Sequence, residues 1–123
     1  MEHKIGILTT KEDTLFEAKG ILLEAIKGSL EKSYNSYAAI TYEYLARIED
    51  RLGNHTASAE NYFNAQQNHS ESLKNIEYKP LKKRVEEKIQ YSQAWNLIEK
   101  AKAHHKNENH QKAKENYQKA ESV

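Results

Sequence analysis

Residues 42–65 read YEYLARIEDRLGNHTASAENYFNA, and their spacing decides the fold. Tyr42, Leu45 and Ala46, followed by Ile48, fall on one side of a helix, because residues three and four apart share a face. Leu52-Gly53 ends that helix, since glycine enters the left-handed conformation without steric cost. Ala59, Tyr62, Phe63 and Ala65 then give a second helix almost at once. So short a connection forces the two helices to pack antiparallel. The first is expected over about Tyr37 to Leu52 and the second over about Thr56 to Asn68.

Outward from this hairpin the pattern stays helical. One proline and four glycines in 123 residues leave few breaks, and Ala, Leu, Glu, Lys and Gln dominate the stretches between them. An opening helix is expected from a capping pair, Thr9 with Glu12, to about Lys27. Its stripe is Leu15, Ala18, Leu22, Ala25 and Ile26, widened by Phe16, Ile21 and Leu23. Gly28 and Ser33 to Ser36 mark a turn. His69 to Lys79 reads as a loop, and Pro80 suits the first turn of a long helix reaching about His105. That helix carries Leu81, Val85, Ile89, Trp95, Leu97, Ile98 and Ala101, and its stripe drifts near Ser92, which predicts a kink there. Lys106 to Asn109 lead into a last helix with Ala113, Tyr117 and Ala120. The fold class expected is all-α, about five helices stacked as antiparallel hairpins in one domain over residues 1–123, whether whole or cut from a longer array.

Ser58, Tyr62 and Ala65 share their spacing of four and three with Ala113, Tyr117 and Ala120. With Tyr42, Leu45, Ala46 and Gly53, the first set resembles the tetratricopeptide repeat family, whose two helices carry bulky, Leu and small residues, a turn glycine, then Ala, aromatic, Ala. Leu97, Ala101, Ala113, Tyr117 and Ala120 form a second copy in which Lys100 and Glu108 replace leucine and turn glycine. Ala18, Leu22 and Ala25 look like the closing half of another. The copies stand 55 residues apart instead of the family's ~34, so Asn68 to Ser92 must hold an insertion or an extra helix. Ala94 to Ala120 also looks like two helices of a microtubule-interacting-and-trafficking domain, and the whole is similar to helical fusion adaptors of the soluble attachment-protein type.

The resemblance implies a scaffold that binds a peptide or helix of another protein, with a groove lined by Glu43, Tyr44, Arg47, Ile98 and Lys102. Family members that bind chaperone tails clamp a terminal carboxylate with lysines and asparagines. Glu43 and Arg47 stand in those places, so no binding of that acidic tail is expected. The final helix lacks the polar cover that usually closes such arrays, which predicts self-association through it.

Nineteen Lys plus Arg against eighteen Asp plus Glu, net +1, give no global field toward nucleic acid or lipid. The one basic concentration, Lys79, Lys82, Lys83, Arg84 and Lys88, is interleaved with Glu77, Glu86 and Glu87. It is the alternative reading, a nucleic-acid-binding segment. No cysteine is present, so disulfide and thiolate chemistry are excluded. The opening apolar cluster, Ile5, Ile7 and Leu8, is too brief to span a bilayer, and a cytoplasmic location without membrane contact is expected. Asn54-His55-Thr56 and Asn68-His69-Ser70 match glycosylation acceptors by chance on that view.

His104, His105, Glu108 and His110 are the densest set of metal-capable side chains. His104 and Glu108 would share a face only if the helix continued, and the expectation is no metal and no cofactor. Catalysis is not expected either. No phosphate loop or triad is present, and Glu49-Asp50 and Glu86-Glu87 are adjacent, which turns them to different faces as solvated surface.

Overall fold

The computed structural model describes the backbone of residues 2–123 and the side chains of residues 11–123. Five helices follow in order: α1 Glu2–Glu31, α2 Asn35–Arg51, α3 His55–Leu73, α4 Lys79–Lys106 and α5 His110–Glu121. No strand occurs among the described residues. Each helix packs chiefly on the one before and the one after it, so the chain is a row of antiparallel helices.

Three of the four connections are the same turn. Ser33 (φ 59°), Gly53 (φ 79°) and Glu108 (φ 61°) are left-handed. The amides that follow reach back to the helix they leave: Tyr34 to Ser29, Asn54 to Glu49 and Asn109 to His104, at 2.8, 2.8 and 2.7 Å. The left-handed residues' own amides reach Leu30, Asp50 and His105, so two otherwise unpaired carbonyls at each helix end are satisfied. Seven residues before and five after each left-handed residue stand Ile26 with Ala38, Ala46 with Ser58, and Ala101 with Ala113, all buried. Small side chains at both positions of the last two pairs let backbones approach closely, and the Ser58 hydroxyl donates to the Ala46 carbonyl at 2.7 Å. The Glu108 turn therefore keeps the shape of the Gly53 turn without a glycine, although left-handed backbone costs an L-residue about 1–2 kcal/mol.

Several boundaries differ from the sequence expectation. α1 starts at Glu2, so Thr9 is not a helix start, and the side-chain bond expected of Thr9 lies outside the described residues. Gly28 lies inside α1, where it costs only about 1 kcal/mol relative to alanine. Ala25, expected on the buried stripe, is exposed, and so are Phe63 and Leu81. His69 to Leu73 belong to α3, and the loop shrinks to residues 74–78. α4 runs unbroken through Ser92, which is fully buried. No extra helix accounts for the long spacing between the two copies. The surplus residues lengthen α3 and α4.

The core is thin. Alanines 38, 39, 46, 59, 65, 101 and 113 dominate it, with Ile26, Leu45, Tyr62 and Val85 as its larger members. Buried polar groups fill the rest, including Glu49, Ser58, His69, Ser92, Asn96 and Glu99. No described helix is long and apolar enough to cross a membrane.

Candidate binding face across α2 and α4

α3 lies between α2 and α4, and long polar side chains from the three helices meet over it. Glu43 Oε1 takes a hydrogen bond at 2.7 Å from His69 Nε2 and one at 3.3 Å from the Ser92 hydroxyl. The Asn96 amide donates to the Ala59 carbonyl at 2.7 Å. One end of the seam gathers four ionisable groups. His55 Nδ1 lies 3.0 Å from Asp50 Oδ1 and 2.9 Å from Glu99 Oε2, while Lys102 Nζ lies 3.0 Å from Asp50 and 3.3 Å from Glu99.

Burial decides how protons are shared there. Glu99, 1% exposed, is held above the usual carboxyl range, first by loss of solvent and then by the Asp50 carboxylate beside it. Burial pushes Asp50 the same way, but hydrogen bonds with Glu99 and Lys102 outweigh it and hold Asp50 low. Burial alone would lower Lys102. Its bonds to the two acids raise it instead. Together the four side chains form one hydrogen-bonded ion-pair network that ties α2, α3 and α4.

Above this seam runs a ladder of aromatic rings and cations. The Arg47 guanidinium sits 5.4 Å from the Tyr44 ring centroid. It is held above its ordinary value chiefly by the Tyr91 hydroxyl, with Tyr62 alongside. Tyr62, buried under it, is pushed up to about 12, first by burial and then by Tyr91. Tyr62 stacks on Trp95 with centroids 6.0 Å apart, Tyr91 leans on Trp95 at 6.1 Å, and Lys102 Nζ lies 5.8 Å over the same indole. Cation and ring attract through the ring quadrupole. Tyr44 and Tyr91 are exposed, so the ladder borders solvent from α2 to α4.

Of the residues expected to line a groove, the structure brings Tyr44, Arg47 and Lys102 into this ladder. Glu43 turns beneath it to His69 and Ser92. Ile98 is half-buried one turn before Lys102. The sequence expectation assigned no site role to Tyr91, Trp95, Asp50, His55 or Glu99. An aromatic every fourth residue on α4 was the available signal for the first two, whereas the last three meet only through tertiary contact. Glu49 and Asp50, expected as solvated surface, are both drawn inward: Glu49 is 2% exposed and pairs with Lys19 at 2.6 Å. Their adjacency sends one to α1 and the other to α4.

The histidine cluster does not assemble as a ligand set. α4 ends at Lys106 and Glu108 sits in the turn, so His104 and Glu108 share no helical face. His105 and His110 approach each other, Nδ1 to Nδ1 at 2.8 Å. His104 borders a separate groove of about 540 Å³ with Ala59, Phe63, Asn96 and Lys100. Among the described residues, the ligand atoms that do converge are those of Asp50, His55 and Glu99, within 4.8 Å of one another. Lys102 Nζ already bridges both carboxylates at that point. The basic residues Lys79, Lys82, Lys83, Arg84 and Lys88 are exposed along the first turns of α4.

No protein-family model, curated protein or solved structure matches this chain.

Proposed function

We propose that this chain is a protein-binding scaffold, without catalysis of its own, that takes a peptide or helix of a partner across α2 and α4. The observation that carries the reading is the ladder Tyr44, Arg47, Tyr91, Trp95 and Lys102. Tyrosine, tryptophan and arginine are the residue types that concentrate binding energy at protein interfaces, because they offer large rigid area with a polar edge. The ion-pair network of Asp50, His55, Glu99 and Lys102 below holds the helices in register, so the ladder is formed before a partner arrives. The tetratricopeptide-like spacing supports the same reading, since peptide recognition in that family uses first helices, here α2 and α4.

Peptides selected from a displayed library against the full chain test it. Their affinity should fall at least about tenfold with Trp95→Ala or Arg47→Ala and change little with salt. Selected peptides that bind both variants as well as the unaltered chain would refute the assignment.

The alternative, nucleic-acid binding through Lys79 to Lys88, draws on those side chains being exposed, with no ion pair to them among the described residues. Phosphate contacts lose affinity steeply with ionic strength. Binding of a single-stranded oligonucleotide that collapses with salt and with Lys82→Glu/Lys83→Glu would favour it.

A further inference from the structure

The two ends of the helical row differ. α5 exposes Gln111, Lys112, Lys114, Glu115, Gln118 and Lys119, a polar outer face. α1, which packs chiefly on α2, exposes Ile21 (71%) beside α2, while Phe16 and Leu23, five residues before it and two after, project from the opposite flank of the helix. α2 continues this apolar surface with Tyr37 (70%), Ile40 (37%) and Tyr44 (52%), three and four residues apart on one face. Between the helices lies a crease of about 380 Å³ with Ala18, Leu22 and Ile48 along it, Ile21 and Tyr44 beside it, and Arg47 and Arg51 at one end.

The charges bordering this surface identify its occupant. Asp13 and Glu17 are four residues apart on α1, and Arg47 and Arg51 four apart on α2. Like charges at that spacing repel within a helix. Among the described residues none of the four makes an ion pair. The two pairs stand at the same level of the hairpin, because Lys19 reaches Glu49 at 2.6 Å and Ala18 shares the crease with Arg47 and Arg51.

We infer that the α1/α2 hairpin is a two-fold interface between copies of this chain, with Asp13 and Glu17 of one copy set against Arg51 and Arg47 of the other. A two-fold axis parallel to the helices lays α1 of the second copy antiparallel over α2 of the first and keeps their levels matched. Ile21 then covers Tyr44 across the interface, and the same contacts recur by symmetry, as a closed dimer requires. The result is a four-helix bundle made of two α1/α2 hairpins. Ala18 borders the crease with little bulk. Tyr44 and Arg47 belong both to this interface and to the ladder, whereas Tyr91, Trp95 and Lys102 belong to the ladder alone, so the dimer would compete with a partner bound across α2 and α4.

Sedimentation and light scattering of the full chain over a concentration series test it, with circular dichroism to check folding. The unaltered chain should pass reversibly from monomer to dimer, and Ile21→Glu should remain monomeric with unchanged helicity. Glu17→Arg and Arg51→Glu should each weaken the dimer at least about tenfold, and the two combined should restore most of that loss. A chain that stays monomeric throughout would overturn the proposal, as would a dimer indifferent to Ile21→Glu or a double reversal no better than the single ones. Peptide selection on a strictly monomeric chain would still decide the scaffold reading by itself.

Discussion

The α2/α3 and α4/α5 hairpins make one backbone from unlike sequences. Both turn through a left-handed residue, glycine at 53 and glutamate at 108. Both bring a small residue seven before the turn onto another five after it, Ala46 to Ser58 and Ala101 to Ala113, all with no exposed surface. What they share is absence of bulk at the crossing. What they lack in common is the turn glycine and the leucine that Lys100 replaces. The comparison teaches that close approach of backbones at the small pair sets the hairpin, and that turn chemistry only adjusts its stability.

The largest expected effect comes from filling the crossings. Ala46→Leu and Ala113→Leu should each destabilise the chain by about 2–3 kcal/mol in urea unfolding, because neither site has room for added methylenes. If Ala113→Leu costs less than about 0.5 kcal/mol, which is surface behaviour, the second hairpin is not held as the first is. The turns come next. Glu108→Gly should raise stability by about 1 kcal/mol, and Gly53→Ala should lower it by about 1–2 kcal/mol, as left-handed backbone requires. Equal, near-zero effects would break the equivalence of the turns. Ser58→Ala, which removes the buried bond to Ala46, should cost about 1 kcal/mol.

The smallest effect is pH dependence, and it marks where the hairpins part company, since the first is tied to α4 by buried acids. Glu99 is raised in the fold, so folding favours its protonated form. Stability should therefore fall as pH rises from 4.5 through its folded value, and level off above that. Asp50, held low, contributes the opposite trend, lost as pH falls through its own folded value below 3.8. Glu99→Gln should flatten the upper slope in pH-dependent melts. An unchanged slope would show that the seam titrates elsewhere.

How far the sequence carried this picture depends on the range over which each signal acts. Helix identity, the Tyr42 to Ala65 hairpin and the five-helix count were legible, because three-and-four periodicity and a turn glycine are local. The end of α1 was not: Gly28 is a weak breaker, and Ser33, a residue with no glycine-like freedom, supplies the turn. His69 read as loop because it is polar, yet its bond to Glu43, 26 residues away, lets α3 bury it. Lys102 meets Asp50 across 52 residues, and no spacing rule reaches that far. Tyr44, Arg47 and Lys102 were legible as surface positions of the first helices. That Trp95 and Tyr91 join them into a ladder required the packing of α4 on α3.

Hydrogen exchange of the full chain with and without a library-selected peptide tests the central claim most directly. The account predicts added protection confined to residues 43–51 of α2 and 91–102 of α4. Protection confined to residues 79–88, or none in α2 and α4, would contradict it.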